Sequence, residues 1–176
     1  IVPTPIGNMK DITMRAIEVL NEVNIILAED TRSIYKILKH YDIQKKTVSY
    51  HQFNEHKRTS SIVEMIIDKK SALVSDAGTP GISDPAYVLV NACIDAGIEV
   101  QTLPGATAFV PALINSGLPS DKFYFHGFLP HKKGRLKQLE FLKNSRLTTI
   151  LYESPHRLLK TLEQLAEVFG ENHKIS

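Results

Sequence analysis

The chain has 176 residues, of which 43% are hydrophobic and 23% are charged, a composition typical of a soluble globular protein. No apolar stretch approaches the roughly 20 residues of a membrane span, and no basic and apolar leader is recognisable, so we expect no membrane association and a cytoplasmic location. The net charge of +2 does not by itself indicate nucleic-acid binding, and the single cysteine, Cys93, excludes an internal disulfide.

Short apolar runs alternate with longer amphipathic stretches along most of the chain. This alternation is typical of βαβ units, and it predicts an α/β fold with a doubly wound, mostly parallel sheet. The predicted strands are Ile1–Pro3, Asn24–Ala28, Thr47–Tyr50, Ala72–Ser75, Glu99–Leu103 and Phe123–His126.

The helices between these strands carry recognisable end signals. A capping box formed by Ser61 and Glu64 predicts that one helix begins at Ser61. The segment "GATAFVPALINSG" is apolar on nearly all sides, which predicts a buried helix. The predicted N-cap and stop residues of two further helices are Asp84 with Gly97 and Ser154 with Gly170.

The character of the chain changes after "FHGFLP", where the basic stretch "HKKGRLKQLEFLKNSR" predicts a linker and a charged helix. We therefore predict an N-terminal α/β domain over residues 1–126 and the start of a C-terminal α/β domain over residues 127–176. Roughly 50 residues are too few for an independent core, so we expect this second domain to be incomplete.

Four segments follow predicted strands and lead into helices: "PTPIGN", "AEDTR", "SDAGTPGISDP" and "LPGATA". Ligands of doubly wound sheets bind beyond the carboxyl ends of the strands, which is where these segments lie. None matches a glycine-rich phosphate fingerprint, and "SDAGTPGISDP" carries two aspartates and no lysine. Its composition suits a cationic, donor-rich ligand such as S-adenosylmethionine, whereas a simple connector would explain Asp84 as a helix cap.

Six motifs in order, "VPTPIGNMKDIT", "AEDTR", "SDAGTPGISDP", "LPGATA", "GFLP" and "YESPHR", resemble the ribosomal small-subunit RNA 2′-O-methyltransferase I family of the tetrapyrrole (corrin/porphyrin) methylase superfamily. The resemblance covers essentially the whole chain. It implies a tetrapyrrole methylase-like fold and an enzyme that transfers a methyl group from S-adenosylmethionine to the ribose of a decoding-centre cytidine of 16S rRNA, cytidine 1402 in that RNA. A homodimer is implied for the full-length protein.

The resemblance also implies where S-adenosylmethionine binds, namely in a cleft between the two domains. In the first domain the implied contacts come from the first loop, the loop after the fourth strand and the Pro-Gly-x-Thr-Ala turn. In the second domain they lie at the end of "TILYE", mainly through backbone atoms. The implied cofactor-binding residues are Pro5, Asp76, Ala77, Gly78, Thr79, Ile82, Thr107, Ala108, Tyr152 and Glu153.

Methyl transfer to a ribose hydroxyl needs positioning and a proton acceptor, and it needs no metal. We predict Glu29 and Asp30 as the catalytic carboxylates, with Asp30 alternatively serving as a helix N-cap. Basic and aromatic side chains suit single-stranded RNA, although solvated loops have similar compositions. The predicted substrate-binding residues are Asn8, Arg32, His51, Asn54, Lys132, Lys133, Arg135, His156 and Arg157.

Three other readings stay open on the sequence alone. The same fold and cofactor would serve a methyltransferase that acts on a carbon of a tetrapyrrole, although the basic stretch "HKKGRLK" argues against one small macrocycle. The chain could also be a non-catalytic RNA-binding module. A nucleotide-dependent Rossmann enzyme is disfavoured by the missing glycine fingerprint.

Overall fold

The computed structural model describes residues 1–50, 55–84 and 86–176, and of residues 55–58 it describes only the backbone. Contacts divide the chain into two compact units, Ile1–Ala108 and Phe109–Ser176. The predicted domain boundary lies further along, at residue 126. The strand Phe123–Phe128 falls in the second unit because it pairs with the strand Thr148–Tyr152.

The described part of the first unit alternates helices and strands. In chain order its elements are α1 (Met14–Glu22), β1 (Ile25–Ala28), α2 (Thr31–His40), β2 (Lys46–Ser49), α3 (Glu55–Ile66), β3 (Ser71–Val74) and α4 (Ala86–Asp95). Short 3-10 turns are also present at Met9–Asp11 and Pro155–Arg157. The described second unit contains α5 (Phe109–Asn115), β4 (Phe123–Phe128), α6 (Arg135–Lys143), β5 (Thr148–Tyr152) and α7 (Leu158–Phe169).

Three parallel strands form the sheet of the first unit in the order β2-β1-β3. All four residues of β1 are buried, as expected for a central strand that is covered on both faces. Ile26 and Ala28 pack with α1 and α2 residues on one face, while Ile25 and Leu27 pack with residues of α3 and α4 on the other. This arrangement confirms the predicted doubly wound α/β fold.

The first residues of the chain extend this sheet without forming a regular strand. The Val2 amide donates to the Leu73 carbonyl at 2.9 Å, and the Leu103 amide donates to the Ile1 carbonyl at 3.0 Å. Prolines at positions 3, 5 and 104 have no amide hydrogen to donate, so a continuous ladder cannot form. The predicted strands Ile1–Pro3 and Glu99–Leu103 are therefore present only as hydrogen-bonded extended segments.

The second unit has a two-stranded parallel sheet of β4 and β5, with a register shift between Phe125 and Gly127. A small core of Leu129, Leu139 and Leu142 lies beneath it, and residues of α7 pack against this core. Among the described residues, no helix is long and apolar enough to cross a membrane.

Two helix predictions were wrong in detail, and a third was confirmed in part. Helix α3 already begins at Glu55, so Ser61 is not its N-cap. The stretch from Glu55 to Ser61 includes glutamate, lysine and arginine, which are good helix formers. Helix α5 buries only Leu113 and is otherwise largely exposed, whereas the sequence predicted a buried helix. Ser154 takes the predicted N-cap position before Pro155, but its side chain makes no cap hydrogen bond, and the turn Pro155–Arg157 that precedes α7 is 3-10.

Candidate active site

Loops at the carboxyl ends of the first unit's strands are joined by a short antiparallel bridge between Thr4 and Gly78. Their backbone groups exchange hydrogen bonds of 2.9 and 3.1 Å, and the buried Thr4 hydroxyl donates to the Ser75 carbonyl at 3.2 Å. Gly78 has φ of +86°, a conformation that side chains other than glycine rarely adopt. The loop after β3 is therefore held against the first loop of the chain.

The Pro-Gly-x-Thr-Ala turn joins the same edge through two close approaches. The Thr79 hydroxyl donates to the Ala106 carbonyl at 3.0 Å. A Cβ atom on Gly105 would lie 2.4 Å from the Cβ of Pro3, a distance that no side chain tolerates, so only glycine fits here. Three of the four segments that the sequence singled out are thus in direct contact.

The fourth segment, "AEDTR", is tied to the others by Asp76. One carboxylate oxygen of Asp76 accepts a hydrogen bond from the Asp30 amide at 3.1 Å. Glu29, which immediately follows β1, is half-buried at this edge. The predicted convergence of the four segments at one edge of the sheet is confirmed by these contacts.

Asp30 caps helix α2 and binds Arg32. Its Oδ1 accepts from the Arg32 amide at 2.8 Å, and the guanidinium of Arg32 contacts both carboxylate oxygens at 2.6–3.1 Å. Hydrogen bonds from the Arg32 side chain and amide lower the pKa of Asp30 from 3.8 to about 2. A carboxylate with so low a pKa is a weak proton acceptor, so these contacts disfavour Asp30 as a general base.

The predicted cofactor residues of the first unit lie at this edge, and they differ in how far they are exposed to solvent. Pro5 and Gly78 are buried, and Thr79 and Thr107 are half-buried. Asp76, Ala77, Ile82 and Ala108 are exposed. Asp84 accepts from the amides of Gly81 and Ala86 at 2.8 and 2.9 Å, which supports its assignment as a helix cap.

The carboxyl edge of the second unit is built differently, around the Glu153 carboxylate at the end of β5. Only 8% of this side chain is exposed. Its Oε2 accepts from the Thr161 hydroxyl at 2.7 Å, and its Oε1 accepts from the Ser154 amide at 2.8 Å. The carboxylate also pairs with Arg157 at 2.6 Å and with Arg135 at 3.4 Å.

Burial raises the pKa of Glu153, but hydrogen bonds from Thr161 and Ser154 together with the two arginines outweigh burial. The pKa of Glu153 therefore lies below its ordinary value of 4.5. The carboxylate is ionised at neutral pH, and its oxygens already have protein partners. We expect any cofactor contact at Glu153 to involve its backbone.

Arg135 is buried, which corrects its predicted role as an RNA phosphate contact. Its guanidinium donates to Gln164 at 2.8 Å, to the Pro130 carbonyl at 3.1 Å and to the Thr161 hydroxyl at 2.6 Å. These bonds and the Glu153 pair use its donors inside the protein. The sequence placed Arg135 in a basic run, and the partners on α7 carried no signal that would have revealed this role.

Arg157 shares this network, because it pairs with Glu153 and also contacts Nδ1 of His131 at 2.9 Å. Lys132 and Lys133 next to His131 are exposed. Tyr152 packs edge-on against Phe125 and Phe128, with ring centres 5.2 and 5.5 Å away. The ring of Tyr152 therefore has a packing role at the end of β5.

Of the remaining predicted substrate residues, the structure describes Asn8 and His156, and both are exposed. Asn8 is exposed and accepts from the Lys10 amide at 3.0 Å, which caps the 3-10 turn Met9–Asp11. His156 is exposed in the 3-10 turn before α7. His51 and Asn54 lie outside the described residues. Within the described ranges, no group of three or more His, Cys, Asp or Glu side chains could hold a metal ion.

The sequence matches the family model of the tetrapyrrole (corrin/porphyrin) methylases over residues 1–176. The chain is 49% identical, over its whole length, to ribosomal RNA small subunit methyltransferase I of Synechocystis sp., and 50% identical, over 98% of its length, to the protein of that name from Halalkalibacterium halodurans. The chain belongs to this methylase family, within its ribosomal RNA small subunit methyltransferase I group.

This chain spans 64% and 61% of the length of those two methylase relatives. A relative with the same name from Thermotoga maritima is 47% identical over 97% of the chain, which spans 78% of that relative. Among solved structures, a diphthine synthase has a TM-score of 0.74 at 16% identity, covering 95% of this chain and 70% of that one. The structural likeness at this identity supports the methylase fold alone.

Proposed function

We propose that the complete protein is an S-adenosylmethionine-dependent methyltransferase that methylates the ribose 2′-hydroxyl of a decoding-centre cytidine in 16S rRNA. The observation that carries this proposal is the near-50% identity, over essentially the whole chain, to relatives named ribosomal RNA small subunit methyltransferase I. The converging loops of the first unit support the proposal, because ligands of doubly wound sheets bind at this edge.

Two features of the first-unit edge support S-adenosylmethionine as its ligand. Gly105 leaves no space for a side chain against Pro3, and Gly78 allows the loop after β3 to turn sharply, so backbone groups are presented closely at this edge. The exposed Asp76 carboxylate suits an ammonium group or ribose hydroxyls. We assign cofactor binding to this set: Pro5, Asp76, Ala77, Gly78, Thr79, Ile82, Thr107 and Ala108, with Tyr152 and Glu153 in the second unit.

When bound, S-adenosylmethionine supplies an electrophilic methyl group. The protein must align the ribose hydroxyl with that methyl group and accept the proton that the hydroxyl loses. We assign the role of proton acceptor to the Glu29 carboxylate, which is half-buried at the end of β1. Asp30 holds the start of α2 and orients Arg32, whose exposed guanidinium is suited to an RNA phosphate.

The methyl acceptor is the first property to test. The complete protein would be incubated with labelled S-adenosylmethionine and, in separate reactions, with unmethylated small ribosomal subunits, free 16S rRNA and a tetrapyrrole precursor. We expect label in the ribosomal RNA, on a ribose oxygen of cytidine. Label that enters only the tetrapyrrole would replace this proposal by carbon methylation, and RNA binding without transfer would favour a non-catalytic RNA-binding protein.

The role of Glu29 is tested with the Glu29→Ala variant. We expect the turnover number to fall by about 100-fold or more, the typical contribution of general base catalysis, while the affinity for S-adenosylmethionine changes little. Glu22→Ala is a matched control, because Glu22 is an exposed carboxylate at the end of α1, beyond the other edge of the sheet. An unchanged turnover number in Glu29→Ala would remove Glu29 from this role.

A further inference from the structure

Helix α2 has an apolar face and a basic face of contrasting exposure. Ile34, Ile37 and Leu38 are buried in the core of the first unit. On the other side, the α2 stripe, defined here as Arg32, Tyr35, Lys36 and Lys39, is exposed. Its members are three, four and seven residues from Arg32, a spacing that places them together along one side of the helix.

A shallow groove of about 720 Å³ lies along this stripe. The strand β2, which borders the sheet in the order β2-β1-β3, contributes Thr47 to it. The residues that line the groove are Thr31, Arg32, Tyr35, Lys36, Lys39 and Thr47. The groove therefore starts beside the capping site of α2 and follows the helix along one border of the sheet.

The charge of this region is strongly one-sided. Residues 31–49 contain five lysines and arginines and one acidic residue, Asp42, whereas the whole chain contains 21 and 19. No carboxylate in the described part of the chain forms an ion pair with Lys36 or Lys39. Like charges one turn apart repel, so Lys36 weakens α2 beside Arg32, while Lys39 in the last turn interacts favourably with the helix dipole.

The composition of the stripe suits the backbone of a nucleic acid better than a lipid surface. Lysine and arginine side chains bind phosphates, and an exposed aromatic ring offers a base a surface for stacking. Tyr35 is 62% exposed. A helix that binds membranes exposes an apolar face, whereas the apolar face of α2 is buried in the protein core.

We propose that the α2 stripe binds the RNA backbone next to the target nucleotide, with Lys36 and Lys39 on phosphates and Tyr35 against a base. This inference rests on the proposed function, because Arg32 connects the stripe to the Asp30–Asp76 edge where we assign methyl transfer. Lys39 follows Arg32 by seven residues, which is about 10 Å along the helix axis. The stripe thus extends the substrate surface beyond the reacting ribose.

The test compares two double variants of the complete protein that each remove two lysines. In Lys36→Ala/Lys39→Ala the stripe loses its phosphate contacts. In Lys69→Ala/Lys70→Ala the charge change is the same, but these exposed lysines directly precede β3, at the opposite edge of the same sheet. Circular dichroism and thermal unfolding first establish that both variants are folded like the wild type.

Binding to a fluorescent transcript of the decoding region of small-subunit rRNA is then measured between 50 and 200 mM salt, roughly the range in which phosphate contacts dominate. We expect the stripe variant to bind about 10-fold more weakly at low salt. The slope of log affinity against log salt should become less steep by about 1.4, since the variant loses two phosphate contacts and each contact on a single strand contributes roughly 0.7. The Lys69/Lys70 variant should retain the wild-type slope.

Tyr35 is tested separately with Tyr35→Ala and Tyr35→Phe. We expect Tyr35→Ala to weaken RNA binding by about fivefold or more, and Tyr35→Phe to retain binding, because stacking requires the ring and not the hydroxyl. Equal weakening in both lysine double variants, or no weakening in the stripe variant, would overturn the proposal. Loss of binding to phosphatidylserine vesicles with unchanged RNA binding would also overturn it.

Methyl transfer is measured in parallel, so that the two proposals fail in distinguishable ways. If the wild-type protein transfers methyl groups to rRNA and the stripe variant binds RNA as the wild type does, the proposed role of the stripe is refuted and the proposed reaction is not. RNA binding that depends on the stripe, without any transfer to rRNA, would refute the proposed reaction and support the stripe.

Discussion

Two clusters of carboxylates and arginines lie at the carboxyl ends of parallel strands, one in each compact unit, but their exposure differs sharply. In the first unit, the side chains of Arg32 and Asp30 are 89% and 29% exposed. In the second unit, those of Arg135 and Glu153 are 10% and 8% exposed. Water competes with the first pair, so a ligand can displace it, whereas the second pair is committed to the fold.

This difference supports our proposal that the first cluster recognises substrate, while the second supports the fold, although the residue types look alike in the sequence. An exposed pair contributes little to stability, so the proposed contact of Arg32 with RNA would cost the fold little. The Glu153 network connects the loop before α6, the end of β5 and helix α7, because Arg135 also binds Pro130 and Gln164. We expect substitutions in the second cluster to affect folding first and substrate binding only as a consequence.

The largest expected effect is that of Glu153→Gln. The substitution keeps the shape but leaves Arg135 and Arg157 without their counter-charge, so we expect the free energy of unfolding to fall by about 2 kcal/mol. Urea unfolding measures it. Glu163→Gln on the exposed side of α7 is the matched control. Equal stability of the two variants would show that the buried network does not stabilise the second unit.

Thr161→Val should have the next largest effect. Thr161 donates to Glu153 and accepts from Arg135, so valine leaves two buried polar groups with one partner fewer. We expect a loss of about 1–2 kcal/mol in the free energy of unfolding. In the Glu153→Gln background the loss should be smaller, because the two residues belong to one network. Strictly additive effects would contradict that coupling.

The stability of the network should also depend on pH in a defined direction. Because the pKa of Glu153 is lowered in the folded protein, the ionised carboxylate stabilises the fold above pH 4.5, and this contribution is lost as the pH falls below 4.5. The stability difference between wild type and Glu153→Gln should therefore shrink on acidification. Urea unfolding at a series of pH values measures this difference, and a constant gap through the acid range would argue against the ionised network.

The smallest expected effect on stability is that of Arg32→Ala, because its ion pair with Asp30 is exposed. We expect the urea midpoint to stay within experimental error of the wild-type value. The pKa of Asp30, followed by NMR, should rise from about 2 towards 3.8 when the Arg32 hydrogen bonds are lost. RNA binding should weaken at the same time. A large loss of stability would contradict the expectation that the exposed Arg32–Asp30 pair contributes little to the fold.

The fold and the convergence of the loops were predictable because they depend on local signals. Alternating apolar runs marked β1, β2, β3 and β4, and glycine and proline marked the turns that meet at Thr4, Gly78 and Gly105. In a parallel sheet, strands that run in one direction bring their following loops to one edge. That rule required no knowledge of long-range packing.

The error about Arg135 has a different origin. Whether an arginine faces solvent or the protein depends on partners that are distant in the chain, here Thr161 and Gln164 on α7. The run "HKKGRLK" contains both exposed lysines and this buried arginine, and no periodicity in seven residues separates them. The α2 stripe was missed for a related reason, since Lys36 and Lys39 belong to no motif and become a surface only when α2 buries its apolar face.

We assign ribose methylation to the first-unit edge, and the most direct measurement is the methylation state of 16S rRNA in cells that lack the gene. Mass spectrometry of the decoding region would compare these cells with cells that carry the wild-type gene or the Glu29→Ala or Glu22→Ala form. We expect 2′-O-methylcytidine to disappear without the gene and to return with the wild-type and Glu22→Ala genes but not with the Glu29→Ala gene. Undiminished 2′-O-methylcytidine in cells without the gene would contradict this assignment.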